Sequence, residues 1–540
     1  MLTQRLYLGI IAIFSTINTF TQVNPGPDIA WQQCFGGSEI DYFTDAILLE
    51  NGEILASILS FSTDGDLLDI ENPYGWVKKF STSDYSHTDM FLSPPDCSIK
   101  YNFLSNGLEN VVFLGGFTVL CDEGPDDDFA DDFAVSKMNE AGEIVWTTIF
   151  GSTSPEFING LMATPDGGVV LVGTTTGDDF DIPLSYPDEE ADAVVAKLTA
   201  DGAIEWIDIV GGSNEDLIVA APVMLHDTAF QVMFSTNSSD YDLAEITTFG
   251  EYNFLIRNYH MNGAVSNENI IYSSENLNAA IGDLLALSNG NTLFAGIGLA
   301  GSPWNPTYPE HDWSEGSIAI FNQDLELTDF KSFGGTSSES FDRIIYSQDS
   351  TCFYTLGNSS SNDGDLPGNH GFEHDLWIMK LDLDLNIIWS KNLGSVLNEF
   401  VEQCAIMEIN NELVLFGKVT VDSILPSGDL ECGGLGVGKS DAWIVRFDLT
   451  QEIESTSMIP TWQVYPNPAS TMFHIEADHN LAANGYRVTI FNSGGIRMWE
   501  QDDIRQTNLI IQTAHWNSGL YFVQVQNEAG FVTNKMLFIQ

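Results

Sequence analysis

The sequence predicts an all-β protein: a seven-bladed β-propeller followed by a small C-terminal antiparallel β-sandwich. Three observations predict it. Short stretches alternate apolar and polar residues along the chain, no long helical pattern interrupts them, and one unit recurs about every 60 residues.

The unit is clearest in "IVWTTIFGSTSPE" (144–156) and "IEWIDIVGGSNED" (204–216), and "IAWQQCFGGSEID" (29–41) and "IIWSKNLGSVLNE" (387–399) belong with them. "TDFKSFGGTSSES" (328–340) carries Phe330 where the others carry tryptophan. Each segment is an alternating strand ending in a Gly-Gly or Gly-Ser turn and an acidic residue. The gaps from Trp31 to Trp146 and from Trp206 to Phe330 are each about two units long, so each hides a degenerate copy, near Asp89 and near Asn267. The count is then seven. Within a copy, an apolar strand, an Asn-Gly or Asp-Gly-Gly turn and a second strand follow, as in "PDGGVVLVGT" (165–174). An Asp-rich loop leads to a last strand such as "DAVVAKLTADG" (192–202) or "DAWIVRFDL" (441–449). Four strands per unit is the content of one blade, whereas an immunoglobulin-like sandwich needs roughly 100 residues. The first copy lacks a strand of the "DAWIVRFD" type and the last copy ends on one, so 441–448 is expected to pair beside 29–37 and close the ring.

The opening "MLTQRLYLGIIAIFSTINTFTQ" sets Arg5 before an apolar run, Leu6 to Phe14, that is too short to span a bilayer and reads as a signal peptide. The expected organisation is a signal peptide over 1–22, the propeller over 23–450, a linker over 451–460 and a separate domain over 461–540. No stretch of the mature chain is long and apolar enough to cross a membrane. There are 18 Lys plus Arg against 77 Asp plus Glu, a net charge of −59. Residues 461–540 hold only four basic and six acidic side chains, so nearly all of that charge lies on the body. Such a body repels nucleic acid and anionic lipid and attracts cations. Six cysteines without a C-x-x-C pair permit disulfides but define no framework.

Residues 433–440, "GGLGVGKS", match the phosphate-binding pattern G-x-x-x-x-G-K-[ST]. That pattern works only between a strand and a helix, whose N-terminus helps hold the phosphates. Here Lys439 and Ser440 lead into an expected β-strand, so the match is a coincidence. No H-E-x-x-H and no G-x-S-x-G is present. His370 and His374 are four apart, but in a loop, where that spacing sets up no shared helix face. The acidic loops recur at equivalent places, "STDGDLLD" (62–69), "TGDDFDI" (176–182), "SSDYDL" (238–243) and "SNDGDL" (361–366). Asp oxygens around a glycine turn suit a hard cation, which makes calcium the one cofactor candidate, with Asp363 and Asp365 as its best ligands. The same residues also make turns through backbone hydrogen bonds.

The tryptophan, Gly-Gly-Ser, "DGG" and "DLWIMKLD" (375–382) pattern resembles the β-propeller repeats of secreted Bacteroidetes proteins. That resemblance implies a fold and an extracellular setting, and no reaction. Residues 461–540 resemble the type A C-terminal sorting domain of the type IX secretion system. The matching residues are Tyr465, Pro466, Asn467 and Pro468, then Gly519 and Tyr521 in "SGLY", and Lys535 in the last strand. The family implies passage through periplasm and outer membrane, with the secretion machinery and its surface peptidase as partners. The product is either released or held at the cell surface. Two function classes stay open: a non-catalytic binding or adhesion scaffold with a glycan or protein ligand, and a hydrolase or lyase with its site in the propeller channel.

Overall fold

The computed structural model describes residues 24–540 except 68–74, 93–96, 122–130, 183–189, 245–251, 275–281, 300–313, 367–369, 371–373, 395–404, 422–428, 430–438, 452–461, 467, 478, 493–495, 528–531 and 540. The expected signal peptide and the glycines of the 433–438 segment lie outside the described residues. The chain divides into two compact units, a body up to Ile453 and a tail from Glu454.

The described residues of the body form seven antiparallel sheets, six of four strands and one of five. In the third, Glu156–Ala163, Val169–Thr175, Asp192–Leu198 and Ile204–Val210 follow one another in chain order. Its two middle strands are buried along their whole length, because sheets pack on both of their faces. That is why they read as near-continuous apolar runs. Each sheet packs on the next. Asp41–Leu48, the first strand of the first sheet, contacts Cys97–Asn106 of the second, which contacts Glu156–Ala163. The third sheet contacts Asp216–Ile218 of the fourth, whose Val223–His226 contacts Gly282–Ala286, and the series continues through Glu339–Tyr346 and Ala405–Ile409, which returns to Asp41–Leu48. These first strands make the inner wall.

The seventh sheet joins the two ends of the body. Ile29–Phe35 pairs with Lys439–Asp448, with Gln32 opposite Val445 and Cys34 opposite Trp443. The indole of Trp443 donates to Gln32 Oε1 at 3.0 Å. The pairing expected from the missing strand at each end is therefore present. Cys34 is also disulfide-bonded, and Cys352 is a buried free thiol.

The tryptophan of each clear copy sits on the fourth strand, opposite a basic residue of the third: Trp146 opposite Lys137, Trp206 opposite Lys197, Trp389 opposite Lys380 and Trp31 opposite Arg446. Its indole reaches the following sheet. Trp146 Nε1 donates to Ala200 O at 3.2 Å, and its ring covers Gly202, whose φ of +89° and crowded Cα leave no room for a side chain. In the two degenerate copies an acid takes the tryptophan position. Lys78 pairs with Asp89 at 2.6 Å, and Arg257 pairs with Glu268 at 2.9 Å, one residue beyond the expected Asn267. Each ion pair crosses two paired strands of one sheet, and in the first of these copies Met90 lies over the turn glycine of the next sheet, Gly142.

The tail has two antiparallel sheets. One orders Trp462–Tyr465, Met472–Ala477 and Asn508–Gln512; the other orders Arg497–Ile504, Tyr486–Asn492, Gly519–Asn527 and Val532–Ile539. A single apolar core unites them, including Trp462, Phe473, Ile475 and Ile511 from the first and Val488, Ile490, Val523 and Leu537 from the second. A short helix, His479–Asn484, was not expected from the sequence; it buries Leu481 and Ala482 in the same core.

Candidate functional site

In four sheets (the first, third, fourth and sixth) one end carries the Gly turn, and the acidic loop of the same sheet folds back onto it. In the sixth sheet, Gly335 N donates to Glu339 Oε2 at 2.9 Å, Gly334 N to Asp365 Oδ2 at 3.1 Å and Thr336 N to Asp363 Oδ1 at 2.8 Å. Asp365 N donates back to Gly334 O at 3.0 Å. The first sheet repeats the clasp: Gly37 N to Asp41 at 2.8 Å, Gly36 N to Asp66 at 2.9 Å and Ser38 N to Asp64 at 2.7 Å. In the third, Glu156 accepts from Ser152 and Thr175, and Asp179 accepts from both the amide and the hydroxyl of Thr153. In the fourth, Asp216 accepts from Gly212 N and Asp240 from Ser213 N. The Gly-turn amides have no ladder partner, and the carboxylates satisfy them. Asp363 and Asp365, the calcium candidates, thus lie together beside one turn, with an oxygen of each on its amides. Among the described residues, no group of three or more His, Cys, Asp or Glu is arranged to hold a metal ion.

The remaining sequence candidates fall on structural positions. Lys439 and Ser440 open the strand Lys439–Asp448, and the Lys439 ammonium lies 2.9 Å from Glu39. No helix follows them, so the lysine of the phosphate-loop pattern is part of a sheet. His370 is held between two carboxylates, Nδ1 2.8 Å from Asp375 and Nε2 3.3 Å from Asp429. A general base needs one ring nitrogen directed at substrate, and both are committed here.

The inner wall holds a charge cluster that no motif announced. Asp45 and Asp283 lie on the first strands of the first and fifth sheets, and the charge of Arg343, on the first strand of the sixth, acts on both. Asp45 accepts from Leu104 N at 2.8 Å in the neighbouring sheet, and Asp283 accepts from Ile344 N at 3.1 Å in its own neighbour. Each carboxylate ties two adjacent sheets. Burial is the main influence on Asp45 and lifts its carboxyl to about 6, with Arg343 and the two amides pulling the other way. At the other end of the body, between the first and second sheets, a cavity of about 270 Å3 is lined by Leu55, Met90, Val112 and Met138. It is small for an organic ligand.

Glu156 is raised further, to about 7, by burial and by nearby Asp132, which burial lifts to about 6; burial raises Asp41 too. A carboxyl with a raised folded-state pKa binds more protons folded than unfolded between its two pKa values. Its contribution is full below about pH 4 and is lost as pH rises through 6 to 7. The melting midpoint is therefore expected to fall between pH 5 and pH 8, by roughly 2 kcal/mol of stability or more in total. A scanning calorimetry series at fixed ionic strength checks this, and a midpoint that rises from pH 5 to pH 8 contradicts it.

In the tail, Tyr465 is 39% exposed with its ring stacked on His474 at 5.2 Å, and Pro466 and Pro468 are exposed as well; Asn467 lies outside the described residues. Tyr465, Pro466 and Pro468 therefore present their side chains outward. Tyr521 is buried and donates to Asn517 O at 2.8 Å, Gly519 opens its strand, and the Lys535 ammonium lies 5.3 Å from the Trp462 ring.

Residues 463–540 match the family described as the secretion system C-terminal sorting domain. No curated protein matches the chain at a significant level. Similar solved structures include a fungal alcohol oxidase in complex with copper (10% identity, 95% of this chain and 99% of that one, TM-score 0.42). A polysaccharide lyase, Uly1, is similar over 78% of this chain and 100% of its own (8%, TM-score 0.42). The sialidase of Trypanosoma rangeli in complex with sialic acid is similar over 85% and 86% (9%, TM-score 0.37). No described helix is long and apolar enough to cross a membrane. The chain is an all-β, propeller-like protein whose C-terminal sorting domain marks it for type IX export, to the cell surface or beyond it.

Proposed function

We propose that the body is a seven-bladed β-propeller acting as a non-catalytic binding or adhesion scaffold, and that the tail is a small β-sandwich that delivers it. The observation that supports this most is where the buried carboxylates go. Asp41, Glu156, Asp216 and Glu339 accept from the Gly turns, and Asp45 and Asp283 tie neighbouring inner strands. Groups spent on backbone amides are poorly placed to exchange protons with a substrate. The loops of the Gly-turn end are left as the binding surface, for a glycan or a protein. Residues 1–22 are read as a signal peptide and 451–460 as the linker cut by a surface peptidase once the tail has engaged the machinery. Asp363 and Asp365 serve the Gly turn as acceptors in this reading, and calcium at the same oxygens is the competing one.

The second reading, a secreted hydrolase or lyase working in the channel, is favoured by one feature. Asp45, lifted to about 6 beside Arg343, has a carboxyl able to gain and lose a proton near neutrality. A glycan and protein array, run beside reducing-end and unsaturated-product assays on the same ligands, separates the two. The scaffold reading expects binding with no product. Turnover abolished by Asp45→Asn would replace it with the enzyme.

A further inference from the structure

The fourth strand of each sheet faces the turn that enters the fourth strand of the next, and the space over that turn is normally filled. Trp146, Trp206 and Trp389 cover Gly202, Gly263 and Gly26, the last of which leads into Ile29–Phe35. Trp31 stacks on the turn residue Tyr85 at 5.2 Å. At two further junctions the turn residue is itself a buried leucine, Leu325 or Leu385, whose carbonyl accepts from Asn269 or Lys331 of the preceding sheet. Among the described residues, the junction of the first and second sheets alone keeps the glycine and lacks the ring. Gly142 stands there at φ +83° with Met90 alone over it. Asp89, at the tryptophan position, is turned to its own sheet, where it accepts from Lys78 Nζ at 2.6 Å and Trp76 Nε1 at 2.8 Å. The cavity of about 270 Å3 lies at this junction. Leu55, Met90, Val112 and Met138 wall it, and the exposed Glu50 and Glu140 stand at its mouth. Asn110 lines it too, and its Oδ1 is shut off from solvent without a hydrogen-bond partner.

We propose that this cavity docks a tryptophan side chain of a partner protein, presented on an exposed basic segment. The repeat itself shows how the ring sits. Trp146 Nε1 donates to Ala200 O at 3.2 Å and Trp206 Nε1 to Met261 O at 3.0 Å, in each case the carbonyl two residues before the covered glycine. The corresponding carbonyl at Gly142 belongs to Glu140. The partner's indole lies over Gly142 and donates to Glu140 O, and Met90, a flexible thioether, swings aside to pack against the ring. Asn110 Oδ1 accepts from the partner's backbone. Glu50 and Glu140, on a chain of net charge −59, favour basic flanks. The volume falls short of a drug-sized ligand and gives room for one ring system. The site lies at the end opposite the Gly turns, so it goes beyond the binding surface proposed there and does not depend on it.

The test uses the full-length exported protein and the peptide acetyl-KGWGK-amide, with 5-fluorotryptophan at its centre so that fluorine NMR sees the ligand ring alone. The wild type is expected to shift and broaden the fluorine line saturably. The unlabelled peptide displaces it, whereas the leucine peptide KGLGK and the acid-flanked EGWGE need at least tenfold more. A 1-methyltryptophan peptide, which cannot donate, needs at least threefold more. Met90→Trp sets an indole of the protein's own over Gly142, and is expected to cut peptide affinity at least tenfold while its melting temperature holds or rises. An unshifted line, equal displacement by the leucine, acid-flanked or methylated peptide, or equal binding by a folded Met90→Trp each overturns the proposal. So does free indole that displaces the peptide as readily as the peptide displaces itself, which would make the cavity a small-molecule site. Should Met90→Trp not fold, the peptide series on the wild type decides alone.

Discussion

A chain truncated before Asp441 is expected to aggregate, whereas one truncated after Thr450 stays folded and soluble. The strand Lys439–Asp448 is bonded on both sides, to Glu412–Val421 and to Ile29–Phe35. Its loss bares two strand edges, which are templates for pairing with other chains. It also removes Trp443, Ile444, Val445 and Phe447, none more than 1% exposed. At about 1.5–3 kcal/mol for each buried side chain, their sum is comparable to the whole stability of a typical domain. Because the lost strand joins the two ends of the body, no neighbouring sheet can replace it. Light scattering on the two truncations after size exclusion decides the matter, and a monomeric, cooperatively melting chain that ends before Asp441 would refute the closure.

Deleting 461–540 is expected to leave a folded body in the periplasm and to reduce its surface display to background. The tail has its own core, and the body has several of its own, so each unit carries its own apolar stabilisation. The exposed side chains of Tyr465, Pro466 and Pro468 carry the recognition in this account, so Tyr465→Ala with Pro468→Ala should impair export without unfolding the tail. Cell fractionation with protease shaving reads both variants. Normal display of the truncated chain would remove the sorting role.

The repeat was legible because its strongest marks are side chains with a packing duty. Trp146 and Trp206 recur because each indole must cover the turn glycine of the next sheet, Gly202 and Gly263. The closing strand was legible because each end of the body lacked what the other had. The degenerate copies were faint because Asp89 and Glu268 stand at the tryptophan position, each paired with a basic residue of the neighbouring strand, and no hydrophobic pattern records that exchange. The clasps were half visible. The aspartates stand out in sequence, but their partners are the amides of Gly36, Thr153, Ser213 and Thr336, which carry no residue-type signal. The inner-wall cluster was not legible at all. Asp45, Asp283 and Arg343 come from sheets distant in sequence, and bulges between Phe43 and Asp45 and between Phe341 and Arg343 shift the alternation where it would have shown.

Whether the acidic loops serve the backbone or a cation is the point on which the account of the body turns. It is tested most directly by melting the wild type, Asp363→Asn with Asp365→Asn, and Asp363→Ala with Asp365→Ala, each with calcium and with chelator at fixed ionic strength. An asparagine oxygen can still accept from Gly334, Thr336 and their neighbours, whereas alanine cannot. The clasp account predicts that the asparagine variant stays within about 1 kcal/mol of wild type while the alanine variant loses roughly 1–3 kcal/mol for each acceptor removed. It also predicts that calcium changes none of the three melts. A calcium-dependent rise in the wild type, worth about 2.7 kcal/mol at a hundredfold excess over Kd and absent from the asparagine variant, would contradict it and make these loops a metal site.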